Sequence, residues 1–251
     1  MEALFVVGAQ RSGTTYLYNI LDYHPEVCMA KPVKPEPKYF LDNKKYTMGR
    51  EYYESLYFGA CSNKTKYYGE KSTSYMEGQL VPERIKHYYP EARIIMILRD
   101  PVERAYSNYK FSVQNGIESL SFADALEAEE ERSLSKSGEI SVNPYLYKTR
   151  GRYINYIYKY LEVFDRSKIN VIIHEEFMSN IDAIRDLYLW LGVDPDILPD
   201  SYRVKVNSSE CTQLDYILSV AMRSRLYKEF EASNKELEML LGRKIGVWTS
   251  D

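Results

Sequence analysis

Near its start the chain reads Gly8-Ala9-Gln10-Arg11-Ser12-Gly13-Thr14-Thr15, with two glycines at the spacing that lets backbone N–H groups curl round an oxyanion. A nucleoside-triphosphate loop of this spacing follows its second glycine with a lysine; here Thr14 stands there, and a cation, Arg11, sits inside the loop instead. Without that lysine the loop is poorly equipped for a triphosphate and its Mg²⁺, and it suits a shorter 5′ group such as a phosphosulfate. A second cluster runs from Arg99 to Tyr109, RDPVERAYSNY. A guanidinium fork at Arg99 and a hydroxyl at Ser107 are good phosphate ligands. The alternative for Arg99 is a helix-start arginine in a surface ion pair.

Regular elements must position these groups. Leu4 to Val7 is a short apolar run ending at Gly8, and Thr14 to Leu21 reads as a helix, so the first loop joins a strand to a helix N-terminus. Arg93 to Leu98 is a second apolar run, followed by Asp100 as N-cap, Pro101 at the first helical position and Glu103 as an N3 carboxylate. Arg99 therefore lies at the carboxyl end of a strand, where open α/β sheets bind ligands. Asn170 to Ile173 precedes a helix over Asn180 to Leu191 that Gly192 closes. Strands separated by helices imply an α/β fold, a three-layer arrangement with a central parallel β-sheet flanked by helices. Ser121 with Asp124 starts an acidic helix, FADALEAEEER; Ser133 to Asn143 reads as a mobile loop, and Gly151 to Phe164 as helical.

The whole chain sets limits on partners. Its 251 residues carry 33 Lys+Arg against 36 Asp+Glu, a formal charge of -3, with 45% hydrophobic residues. That balance excludes disordered and fibrous classes and argues against a general nucleic-acid binder. No window approaches ~18 consecutive apolar residues, and the opening MEALFVVGAQRSGTT shows no signal peptide, so no integral membrane segment is expected. Cys28, Cys61 and Cys211 are odd in number with no CxxC spacing, which fits reduced thiols in a cytoplasm. The three histidines are scattered, so no metal is expected. With no repeats and no linker rich in Gly, Pro or Ser, residues 1–251 are taken as a single domain.

GAQRSGTT followed by LRDPVERAYSNY resembles the PAPS-dependent sulfotransferase family, which has a P-loop-like fold. Lys34 to Phe40 (KPEPKYF), Gly69 to Tyr75 (GEKSTSY) and the Asn234 to Trp248 tail resemble its heparan sulfate and bacterial carbohydrate branches. The resemblance implies that 3′-phosphoadenosine 5′-phosphosulfate (PAPS) is the donor and adenosine 3′,5′-bisphosphate (PAP) the product, with no metal. Arg11, Ser12, Gly13, Thr14 and Thr15 would hold the 5′-phosphosulfate, and Arg99 and Ser107 the 3′-phosphate. Glu36 falls on the family's general base, and a proline separates it from the usual adjacent lysine, so either Lys34 or Lys38 takes that lysine's role. Lys71, with Ser72 beside it, matches the Glu-Lys-Ser/Thr segment at the acceptor site. Tyr153 follows a segment that begins a helix beside the nucleotide, and Arg203 to Ser209 resembles the loop that closes over it.

Those roles describe in-line sulfuryl transfer to a hydroxyl, in which the protein positions reactants and neutralises developing charge. The basic rim of Lys31, Lys34, Lys38, Lys44 and Lys45 and the 25 tyrosines favour a carbohydrate acceptor. A lipid, sterol or polyketide alcohol is the alternative. A nucleotide kinase is disfavoured by Thr14, and a non-catalytic nucleotide-binding module has no use for Glu36 and Lys71.

Overall fold

The computed structural model describes residues 2–133, 143–199 and 218–249. They form two compact units, one drawn from Met1–Leu98 with Lys159–Asn207, the other from Arg99–Tyr158 with Ser208–Asp251. Among the described residues no helix is long and apolar enough to cross a membrane.

The first unit is built on a five-stranded parallel sheet: β1 (Glu2–Gly8), β2 (Val27–Met29), β3 (Tyr67–Lys71), β4 (Arg93–Leu98) and β5 (Ile169–Ile173), in the order β2-β3-β1-β4-β5. β1, β4 and β5 match the sequence expectation; β2 and β3 were not expected. Alternation along β1 divides the core between the two faces. Leu4 and Val6 join Ile95, Ile97 and Ile172 against the Thr14–Tyr23 and Ile181–Leu191 helices through Leu17, Leu21, Leu187 and Leu191. Phe5 turns to the opposite face, its ring 5.4 Å from Phe40 and 5.8 Å from Tyr89. A sheet covered on both faces is what a parallel arrangement requires. Gly69 is needed where β3 meets β2: a Cβ there would lie 2.1 Å from Met29 Sδ.

The cysteine expectation is corrected in this unit. Cys28 on β2 is bonded to Cys61, just beyond the Arg50–Phe58 helix, so these two are a disulfide and not reduced thiols. Cys211 lies outside the described residues.

In the second unit, Asp100 caps the Pro101–Gln114 helix by accepting from the Val102 and Glu103 amides, as its sequence position implies. Val102, Ala105, Phe122, Leu126, Tyr147, Leu226 and Phe230 form its core. The acidic helix expected from Ser121 is two helices, Phe122–Glu127 and Glu129–Ser133. Glu129 is buried and accepts from the Lys148 and Thr149 amides at 2.7 Å each, a role a solvent-facing acidic helix would not provide. The helix expected over Gly151 to Phe164 is regular only over Ile154–Leu161, after a tight turn at Thr149–Gly151. A 22-residue helix, Val220–Leu241, was not anticipated. Residues 134–142 of the expected mobile loop lie outside the described residues.

Candidate functional site

β1 ends at Gly8 in the middle of the sheet, and the chain turns through Arg11 (φ 69) and Gly13 (φ 86) into the Thr14–Tyr23 helix. Gly13 has no side chain to cap this helix and the first turn holds no acidic residue, so among the described residues no side chain caps the leading N–H groups. Ser12 is fully buried, and its Oγ has no hydrogen-bond partner among the described residues. A buried hydroxyl without a partner is costly, and beside an uncapped helix start it fits an incoming oxyanion. From β5 comes a group that sequence reasoning did not assign: His174 Nδ1 lies 3.0 Å from Ser12 O. A carbonyl only accepts, so that nitrogen carries the proton and donates. The ring also sets the loop's clearance, because a Cβ on Gly13 would lie 2.6 Å from the same nitrogen.

β3 is hydrogen-bonded beside β1, with Lys71 opposite Val6, and so brings a second set of groups to the carboxyl edge of the sheet. Lys71 Nζ lies 2.5 Å from Glu36 Oε1, with side-chain exposures of 3% and 15%. Thr73 donates its amide to Glu36 Oε2 at 2.9 Å, and its hydroxyl lies 3.0 Å from the same oxygen. The lysine paired with Glu36 in the structure is Lys71, which the sequence had not offered for that place. Lys34 is exposed; Lys38 has φ 50, and its amide donates to Ser72 Oγ at 2.9 Å. Ser72, expected at the acceptor site, is fully buried and donates to Glu70 Oε1 at 2.6 Å. Burial pushes the Glu70 carboxyl up to about 7, against the hydrogen bonds from Ser72, Tyr53 and Tyr75 that favour its ionised form. Thr73 and Glu70 are the other site residues that sequence reasoning missed. Nothing in residue type marks either, although the match around Lys71 includes both.

In the second unit, Arg99 Nη2 lies 3.6 Å from Glu103 Oε2 across one helical turn, and Glu103 also pairs with Arg223 at 2.5 Å. This is the ion pair the sequence held open as an alternative; with the side chain 28% exposed, it leaves Arg99 within reach of solvent. Ser107 is half-buried two turns into the same helix. Tyr153 is buried, and its hydroxyl donates to Arg99 O at 2.7 Å, so its visible task is to hold the Arg99 backbone. Arg203 lies outside the described residues. Among the described residues no three His, Cys, Asp or Glu side chains are grouped to hold a metal.

Comparison with known proteins agrees with this chemistry. A family model described as a sulfotransferase domain matches residues 2–232. A bifunctional heparan sulfate N-deacetylase/N-sulfotransferase of Drosophila melanogaster is 27% identical over 214 residues, 78% of this chain and 20% of its own length. A Xenopus laevis protein of the same description is 36% identical over 109 residues, 43% of this chain and 12% of its own. The chain therefore spans a fifth or less of the length of these two curated relatives. Among solved structures, a sulfotransferase from Alicyclobacillus acidocaldarius superposes with a TM-score of 0.78 at 27% identity, covering 99% of this chain and 98% of that one. A mouse sulfotransferase complexed with PAP shares the fold, with a TM-score of 0.60 at 14% identity over 96% of this chain and 87% of its own.

Proposed function

The chain belongs to the sulfotransferase domain family, and on that premise we propose that it moves a sulfuryl group from PAPS to a hydroxyl of a carbohydrate, acting over residues 1–251 as one functional domain. The observation that carries the reading is the Glu36–Lys71 pair, 2.5 Å apart at the sheet edge on the strand beside β1. A lysine and a carboxylate held there are what a transferase needs and a simple nucleotide-binding module does not.

The donor supplies an already electrophilic sulfur, which leaves the protein to position and to manage charge. Glu36 takes the proton from the acceptor hydroxyl as that oxygen bonds to sulfur, and Lys71 and Thr73 orient its carboxylate. Arg11, with Ser12, Thr14, Thr15 and the amides of the loop, holds the 5′ end and receives the charge left on the bridging oxygen as its bond to sulfur breaks. No step calls on a metal. The family resemblance assigns the 3′-phosphate to Arg99 and Ser107, and the basic rim of lysines places Lys34 and Lys38 on the acceptor side.

The heparan sulfate relatives support a glycan acceptor. Their description as N-sulfotransferases favours a second reading, in which an amino group of the sugar replaces the hydroxyl. The cytoplasmic location inferred from unpaired cysteines loses that support with the Cys28–Cys61 bridge, since disulfides persist in oxidising compartments.

Calorimetry without added Mg²⁺ tests the donor assignment. Charge-assisted hydrogen bonds are worth roughly 1.5–3 kcal/mol each, so two contacts to the 3′-phosphate give PAP an advantage over adenosine 5′-phosphate on the order of 10²–10⁴. Arg99→Ala should erase most of it. Equal binding of the two nucleotides would overturn the assignment, and tight Mg²⁺-dependent ATP binding would point to a kinase.

A further inference from the structure

Glu70 lies on β3 at 1% exposure, and no step of the proposed transfer uses it. Two hydroxyls donate to its carboxylate, Tyr53 to Oε2 at 2.5 Å and Ser72 to Oε1 at 2.6 Å. Ser72 is itself an acceptor, its Oγ receiving the Lys38 amide at 2.9 Å. A hydroxyl has one proton, so donating to Glu70 fixes which way the Ser72 oxygen turns its lone pairs. A hydrogen-bonded relay thus runs outward from one buried carboxylate to an amide of a single loop, whose Phe40 amide is held separately by Tyr75 Oη at 3.0 Å. Lys38 lies in left-handed backbone at φ 50, which a non-glycine residue adopts only when its surroundings impose it, and the Ser72 relay anchors its amide.

That loop carries Glu36 two residues before Lys38, and Glu70 is bonded directly to Lys71. Glu70 therefore reaches both members of the ion pair, Lys71 along β3 and Glu36 through the relay. We infer that Glu70 is a positioning residue, which through Ser72 locks the loop at the Lys38 amide so that the Glu36 carboxylate meets Lys71 and Thr73 in reacting geometry. The inference rests on the function proposed above.

Ser72→Ala cuts the relay, Glu70→Gln alters it at its root, and Ser72→Thr keeps the hydroxyl. Two readouts are taken on the full chain: hydrogen exchange of the 36–40 amides, and steady-state transfer from labelled PAPS to an acceptor used by the wild type. A 1 Å misplacement costs roughly 10²-fold, so kcat should fall ~10- to 100-fold in the two disrupting variants. PAP affinity should stay within about threefold, because the Gly8–Thr15 loop is not on the relay. The Lys38 amide in Ser72→Ala should exchange at least ~10-fold faster while the Thr14–Tyr23 helix is unchanged. Ser72→Thr should recover both kcat and protection. Unchanged exchange, or faster exchange with wild-type kcat, overturns the positioning role. A wild type that binds PAP but transfers nothing to a broad acceptor panel overturns the proposed function first and takes this inference with it.

Discussion

Glu70 should also leave a signature in the pH dependence of stability. Its carboxyl is pushed from an ordinary 4.5 up to about 7, first by desolvation and further by the nearby Glu36 charge, while Ser72, Tyr53 and Tyr75 oppose the rise. The folded protein therefore binds a proton more tightly at Glu70 than the unfolded chain does. Its contribution to stability is fully present below about 4.5 and is lost as pH rises through about 7. At ~1.4 kcal/mol per pH unit, that interval costs on the order of 3 kcal/mol. For a chain of this length each kcal/mol moves Tm by about 2–4 °C, so the effect is on the order of 6–12 °C. Urea and thermal unfolding of wild type and Glu70→Gln, followed from pH 4.5 to 8.5, isolate it, because the amide does not titrate. The stability of wild type relative to the variant should fall by about 3 kcal/mol across that range. Parallel curves would show that Glu70 titrates normally, and the account of its burial would fail.

Two further outcomes follow from the same unit. Gly13→Ala puts a Cβ 2.6 Å from His174 Nδ1 at φ +86, so PAP affinity measured by calorimetry should drop at least ~10-fold, or about 1.4 kcal/mol. Reducing Cys28–Cys61, which spans 33 residues, should destabilise the protein by roughly 2–4 kcal/mol in urea unfolding with and without reductant.

The parts legible in the sequence are those whose local chemistry agrees with the fold. β1 and β4 are continuous apolar runs because they lie inside the sheet, and Asp100-Pro101 announces a helix start through its own capping bonds. β3 is hidden for the opposite reason. Tyr67–Lys71 reads YYGEK, yet Glu70 and Lys71 are almost fully buried, because Tyr53 and Glu36 from farther along the chain, with neighbouring Ser72, supply partners. Residue type alone marks such a segment as a polar loop, and only the family resemblance pointed to Lys71. The same blindness left the lysine partner of Glu36 open between its two sequence neighbours. Cys28 and Cys61 carry no spacing signal, since β2 and the end of a helix bring them together. The Val220–Leu241 helix buries only Leu226, Phe230 and Leu237, too sparse a stripe to stand out among its charges.

In the proposed function, this chain transfers a sulfuryl group with Glu36 accepting the proton. The most direct measurement follows label from PAPS into a glycan acceptor for wild type and Glu36→Gln, with PAP binding by calorimetry on the same preparations. A general base contributes typically ~10²–10⁴ in rate, and the amide keeps the shape of the carboxylate while losing its ability to take the proton. The account predicts transfer by the wild type, a fall of that size in Glu36→Gln, and PAP affinity within about threefold between them. Undiminished transfer by Glu36→Gln would contradict it.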